Sequence, residues 1–346
     1  MKISKGIEGD YIQTKFPRLF FDVKGIHHPK DRIISFLRFY PNKNGDREVL
    51  GTKYKKVYDL DERFSLVKDK FPQFLFRSPE LDLELQAVNK KDIEKIYSPR
   101  EYYKILVEKE DLSKLELQSK DLCDLFIHKG NLPPNSIGIT GSQMIGLDNQ
   151  SSDIDIIVYG TNTGLLFQKS LMNIFNKIYE CRMYNQEDFV KHYQWRFGGS
   201  EIDYDDYLRS EKRKLHQGLY RNIDFFIRYI KSPEDWRGTY YDYKFNNYGR
   251  IKIKAEIINS DGAIFTPCSY EIKCKKVIQS ELKLNKVKYS DIIEVSSFRG
   301  RFCEQAIKGE SVLVEGKLER VRYKDNEYLR ILLTDQVRDK MLVLED

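Results

Sequence analysis

Gly138-Ile-Thr-Gly-Ser-Gln-Met-Ile-Gly-Leu-Asp-Asn-Gln-Ser-Ser-Asp-Ile-Asp-Ile-Ile-Val-Tyr-Gly160 is the stretch that decides how this chain reads. Asp153 and Asp155 stand in a run of Ile and Val that has the pattern of a buried strand. Residues two apart on a strand share a face, so both carboxylates project together while Ile154 and Ile156 point the other way. Two like charges side by side at a buried strand end repel and lose hydration, which is costly without a cation. Hard oxygen ligands with no Cys or His nearby make Mg²⁺ the expected ion.

Upstream, Ser136-Ile-Gly-Ile-Thr140 reads as a short strand that breaks at Gly141-Ser142. A glycine there lets backbone N–H groups approach a ligand closely, and the Ser142 hydroxyl joins them in holding phosphate oxygens. Metal-binding carboxylates beside a phosphate cradle point to chemistry on a nucleoside triphosphate. A Gly-Ser turn followed by an Asp-x-Asp strand resembles the polymerase-β-like nucleotidyltransferase superfamily, over about residues 110–230. The resemblance implies that Gly141 and Ser142 hold the triphosphate and that Asp153 and Asp155 bind two metal ions, Mg²⁺ or Mn²⁺. It also implies a third carboxylate on a later strand, and Asp224 in the apolar run Asn222–Tyr229 is the candidate. Asp203, Asp205 and Asp206 are rivals without that strand context. The basic run Lys212, Arg213 and Lys214 offers candidate triphosphate contacts, with a solvated helix face as the ordinary alternative. An EF-hand over Asp148–Tyr159 fails because the central glycine and the final Glu are absent. A Walker P-loop fails for want of Gly-Lys-Ser/Thr.

The 346 residues suffice for two or three domains. The expected fold is α+β and multidomain: an N-terminal, strand-first α+β domain (1–105), a polymerase-β-like nucleotidyltransferase α/β core (106–248) and an all-β, OB-like barrel (249–346). In the first, a helix is expected at Leu60–Phe71, and His27 and His28 face opposite ways on a strand, so a shared metal is excluded. At the end of the first, Ser98-Pro99-Arg-Glu101 reads as a capping box that opens a helical stretch to about Glu108; in the second, a further helix spans Ser113 to about Lys129 and an amphipathic helix spans Leu165–Ile178. In the third, alternating runs punctuated by turns predict five or six strands. Tyr240–Phe245 and Tyr248 read as an aromatic linker. Arg299, Arg301, Lys317, Arg320, Arg322 and Tyr323 are candidates for a nucleic-acid face.

Net charge is +6. Acids outnumber bases only in the central segment, which fits basic flanks that hold a polyanion near an acidic, metal-loaded centre. The five cysteines are odd in number and scattered, with no Cys-x-x-Cys. Zinc and a disulfide framework are therefore not expected, although Cys268 and Cys274 are close enough in sequence to meet in a hairpin. No apolar run approaches a membrane span and the N-terminus lacks a signal-peptide core, so no membrane partner and a cytoplasmic location are expected. The function expected is transfer of a nucleoside monophosphate from an NTP to an acceptor hydroxyl, with a template-independent RNA 3′ end as the leading acceptor. The alternatives are a protein or small-molecule hydroxyl, or RNA binding without catalysis.

Overall fold

In a computed structural model of the chain, residues 6–197, 201–282 and 287–345 are described. They divide into two compact units. The first holds the chain through Pro79, Leu83–Cys181 and Leu219–Tyr240; the second holds Glu80–Asp82, Arg182–Gly218 and the chain from Tyr241 onward. The whole is mixed α/β.

The first unit contains two sheets. One is antiparallel in the order Arg47–Val49, Thr52–Lys56, Arg32–Pro41, Phe20–Val23, Tyr11–Thr14, Ile93–Tyr97, and Leu83–Asn89 joins Arg32–Pro41 and carries Leu75–Ser78. Helix Leu60–Lys70 is N-capped by Asp59, whose carboxylate accepts from the Glu62 N–H at 2.9 Å. One sheet face, with Ile12, Phe21, Leu37 and Val88, packs on Val67 of that helix and on Phe74. Alternation, with a register shift between Phe20 and Phe21 that turns Phe39 to the face opposite Leu37, sends Tyr11, Phe20, Phe39 and Tyr54 into another cluster, where they meet Met144, Ile145 and Leu147. This contact seats the first sheet against the turn that follows Gly141-Ser142.

The second sheet runs Cys181–Arg182, Gln217–Tyr220, Ile223–Ile230, Ile154–Tyr159, Ile137–Thr140. Its Asp-x-Asp strand pairs in parallel with Ile223–Ile230 and antiparallel with Ile137–Thr140. Arg221 and Asn222 take positive φ (47° and 67°), a tight turn that reverses the chain into Ile223–Ile230. Helices Lys114–Gly130 and Thr161–Lys177 contribute Phe126 and Phe167, whose rings meet at 5.1 Å, and Phe126 also meets Phe225 at 6.0 Å. The second of these helices begins one turn earlier than its apolar pattern predicts, directly after Gly160. Ser98 makes no capping bond; Pro99 alone sets the start of helix Pro99–Glu108. The capping box forms instead at Ser113, which accepts from the Glu116 N–H while Glu116 accepts from the Ser113 N–H.

The second unit has helices Gln186–Phe197 and Tyr204–Glu211 and six strands. Tyr243–Asn259 pairs with Cys268–Leu282, which pairs with Ile292–Ser297. The latter runs parallel to Asn326–Leu332, which pairs with Ser311–Tyr323, which returns to Tyr243–Asn259. The five pairings close a ring around Ile253, Tyr270, Val295, Leu318 and Ile331. Tyr243 and Phe245 are not linker residues but open the first strand of this ring, and the Tyr243 ring lies 4.6 Å from Tyr323. Cys268 and Cys274 occupy the same strand and do not form a hairpin pair; all five cysteines are free.

The helix Tyr204–Glu211 is tied to the ring by buried charge. Lys214 Nζ donates to Glu211 Oε1 and to the Arg301 carbonyl, each at 2.6 Å, and Gln217 Nε2 donates to Glu211 Oε2 at 2.6 Å. Burial raises the Glu211 carboxyl, but Lys214, Arg196 and His192 outweigh it and hold the group at about 2. Removing one member of such a pair strands the other. Lys214→Met is therefore expected to lower unfolding free energy by roughly 3–5 kcal/mol in urea titrations, whereas Lys212→Met, at an exposed position on the same segment, is expected to change it little.

Candidate active site

Asp155 lies in strand Ile154–Tyr159 and is half-buried; Asp153 immediately precedes the strand and is exposed. The pairing Ile154 with Phe225 and Asp155 with Phe226, extended by one residue, sets Asp224 beside Asp153. Directly paired residues of a parallel ladder share a face, so all three aspartates lie on one side of the sheet, opposite Ile154, Ile156 and Phe225. Asp224 is exposed. Among the described residues, no three His, Cys, Asp or Glu side chains converge closely enough to enclose a metal ion by themselves. Like charges with no cation between them separate rather than converge.

Gly141 sits opposite this face. Its φ is +83°, and a Cβ built there would lie 2.6 Å from Asp155 Oδ2. Glycine is required twice over, for the backbone angle and for the approach of the carboxylate. Ser142 is buried, and its hydroxyl lies 3.2 Å from Ser152 Oγ, so the two ends of the loop between the strands meet. Arg47 holds that loop to the first sheet by donating to the Leu147 carbonyl at 2.5 Å and to Ser152 Oγ at 3.4 Å.

Neither Asp153 nor Asp155 makes a hydrogen bond or an ion pair among the described residues. Burial and the neighbouring Asp153 carboxylate push the Asp155 carboxyl up to about 6, against the pull of Arg228, Lys56 and Arg38. The neighbouring acids, by contrast, are matched. Glu8 accepts from Arg228 at 2.7 Å and from the Gly25 N–H at 2.6 Å, and Asp22 pairs with Lys24 at 2.7 Å. Burial raises Asp22, but Lys24, Arg228 and Arg38 overcome it and hold the carboxyl below its ordinary value. Asp153 and Asp155 are thus acids of this cluster without a hydrogen-bond or ion-pair partner among the described residues, and carboxylate oxygens are what a hard divalent cation takes.

Two members of the basic run have acidic partners of their own. Arg213 forms a two-pronged ion pair with Glu310 (2.5 and 3.0 Å), and Lys214 is buried on Glu211, both within the second unit; Lys212 is exposed. The nearest rivals for the third carboxylate are local: Asp203 caps helix Tyr204–Glu211 and Asp206 pairs with Arg209. The basic residues of the ring are also largely matched. Arg301 donates to the carbonyls of Asp335, Gln336 and Asp339, Lys317 pairs with Glu319, and Arg320 and Arg322 pair with Glu327. His28 is structural, its ring nitrogens meeting the Gly6 carbonyl and the Ile34 N–H. The cations that do act on the aspartates, Arg38, Lys56 and Arg228, come from strands distant in sequence. Their only sequence signal is a charge inside an otherwise apolar strand, as in Arg38 and Arg228.

No family model matches the chain, and no solved structure matches it. An uncharacterized protein of Methanocaldococcus jannaschii is 29% identical over 337 residues, which cover 94% of this chain and 94% of that protein. The similarity therefore runs through both units. No helix among the described residues is long and apolar enough to cross a membrane.

Gly141→Ala is expected to destabilise the protein by roughly 1–3 kcal/mol, because the new methyl meets Asp155 and the positive φ is strained. Urea unfolding measures the loss. Gly51→Ala, at positive φ with no atom within 4 Å, isolates the backbone contribution and is expected to cost less.

Proposed function

We propose that this chain is a divalent-metal-dependent nucleotidyltransferase of the polymerase-β-like type, and that it moves a nucleoside monophosphate from an NTP to an acceptor hydroxyl. One observation carries the reading: Asp153 and Asp155 on one face of a strand, half-buried or at its mouth, without hydrogen-bond or ion-pair partners among the described residues, beside a turn whose Gly141 meets Asp155 too closely for a Cβ. A pair of strand carboxylates kept only for stability would be matched by cations, as Glu8 and Asp22 are.

In this reading Asp153, Asp155 and Asp224 would hold the metal ions. The Ser142 hydroxyl and the Gly141 backbone orient the β- and γ-phosphates. When bound, the ions neutralise the triphosphate and lower the pKa of the acceptor hydroxyl. The acceptor oxygen forms the new bond to the α-phosphorus, the bond from that phosphorus to the bridging oxygen breaks, pyrophosphate leaves and the hydroxyl proton passes to water. Burial of Ile154, Ile156 and Phe225 behind the aspartates holds the carboxylates in place while the charge of the triphosphate arrives.

For the acceptor we favour an RNA 3′ end. The support is the strand order of the second unit: first-second-third-fifth-fourth and back to the first, with the third and fifth parallel. A ring closed by five strands suits an OB-like barrel, an architecture that often binds single-stranded nucleic acid. Fold analogy is the whole of this support, so the acceptor is set by experiment. The protein is incubated with each α-labelled NTP, Mg²⁺ or Mn²⁺ and cellular RNA. Label on RNA is expected, with Asp153→Asn and Asp155→Asn reducing it at least a hundredfold while leaving the fold intact. Label on protein or on a small molecule moves the acceptor. RNA retention with no label from any NTP overturns the enzymatic reading.

A further inference from the structure

The first sheet presents two cations toward the aspartate face, Lys56 and Arg38, that form no ion pair within 4.0 Å among the described residues. Lys56 ends strand Thr52–Lys56, pairs with Phe39 and lies on the same strand face as Tyr54. Phe39 and Tyr54 pack against Met144, Ile145 and Leu147, so that face looks onto the turn after Gly141-Ser142. Lys56 Nζ has no carboxylate within 4.0 Å among the described residues; its neighbours are the rings of Tyr58 at 4.7 Å and Phe39 at 5.9 Å. Arg38 lies against the same Tyr58 ring, at 5.6 Å. Its Nη1 donates to the Val57 carbonyl at 3.3 Å, but its Nε is buried without a hydrogen-bond partner. Tyr58 itself is 56% exposed.

These two differ from the other cations of the cluster. Arg228 is held by Glu8 and Lys24 by Asp22, and Arg47, whose Nε also lacks a hydrogen-bond partner, has the Asp46 carboxylate at 3.7 Å. Burial and the like charges of Arg38 and Arg47 press the Lys56 ammonium down to about 8, while Asp153 and Asp155 pull the other way. An anion placed between Lys56 and Arg38 removes both penalties at once, since it pairs the ammonium and takes up the orphaned guanidinium N–H.

We infer that Lys56 and Arg38 form the phosphate-binding wall of the nucleotide site, facing the metal-binding aspartates across it, with the Tyr58 ring at the rim. This assigns a phosphate-binding part to the N-terminal sheet, whereas Arg213 and Lys214 are paired with Glu310 and Glu211. The inference rests on the nucleotidyltransferase reading, in that the anion is the triphosphate of the NTP.

The test uses the full chain and two separate readouts. Binding of each of the four Mg²⁺·NTPs is measured by calorimetry, and Mn²⁺ binding without nucleotide by paramagnetic resonance, for the wild type, Lys56→Gln, Arg38→Gln and Lys55→Gln. Lys55 is the exposed neighbour on the opposite strand face and controls for net charge. The expected result is at least a tenfold loss of nucleotide affinity in Lys56→Gln and in Arg38→Gln, unchanged Mn²⁺ affinity in both, and less than a twofold change in Lys55→Gln. Lys56→Arg, which keeps the charge, is expected to restore most of the affinity. Nucleotide binding by Lys56→Gln equal to wild type, with Mn²⁺ still bound, overturns the inference and leaves the metal reading standing. If Arg38→Gln does not fold, Lys56→Gln decides alone. A wild type that takes up neither Mn²⁺ nor any NTP overturns the functional reading itself, and the inference with it.

Discussion

The repulsion between Asp153 and Asp155 is the constraint around which the first unit is arranged. Strand periodicity forces both carboxylates to one face, and the Ile and Phe residues alternating with them hold the strand in place from behind. Turning the strand over would bury the charges and expose Ile154 and Ile156, so the register has no cheap alternative. The cost of two unpaired acids at this position is met partly by long-range attraction from Arg38, Lys56 and Arg228, and a proton on Asp155 or a bound cation relieves the rest. Stability alone does not favour such an arrangement; the matched Glu8–Arg228 and Asp22–Lys24 pairs of the same cluster are what stability alone produces.

The close approach of Gly141 to Asp155 links this constraint to the rest of the unit. The turn after Gly141 supplies Met144, Ile145 and Leu147 to a cluster shared with the first sheet, and Arg47 fastens the loop that leads on to Asp153. The aspartates are therefore positioned from two sides, by their own sheet and by a sheet formed about a hundred residues earlier in the chain. The second unit follows a different logic. There the buried Glu211–Lys214 pair, the His216–Glu304 contact and the Arg213–Glu310 pair attach a helical insertion to a ring of strands.

What was legible in the sequence was what is local. The Asp-x-Asp strand, the Gly-Ser break, the placement of Asp224 on a strand and the strands of the C-terminal ring all follow from period-two alternation and turn residues within short windows. What depended on partners far along the chain was not legible. Lys212–Lys214 read as phosphate contacts because Glu310, the partner of Arg213, lies 97 residues away. Arg38 and Lys56 read as ordinary charges of an N-terminal sheet because nothing near them in sequence mentions the aspartates. The aromatic run at Tyr243–Phe245 read as a linker because its strand partner, Ser311–Tyr323, comes so much later. The capping box at Ser98 failed and the one at Ser113 formed, a reminder that Pro99 sets a helix start without the side-chain bonds.

The most direct measurement is a crystal structure of the protein soaked in millimolar Mn²⁺, read by anomalous scattering at the manganese edge. The account predicts a peak within coordination distance of both the Asp153 and Asp155 carboxylates, with Asp224 drawn toward it. Well-ordered crystals with no peak at that face, or with manganese bound only elsewhere, would contradict it.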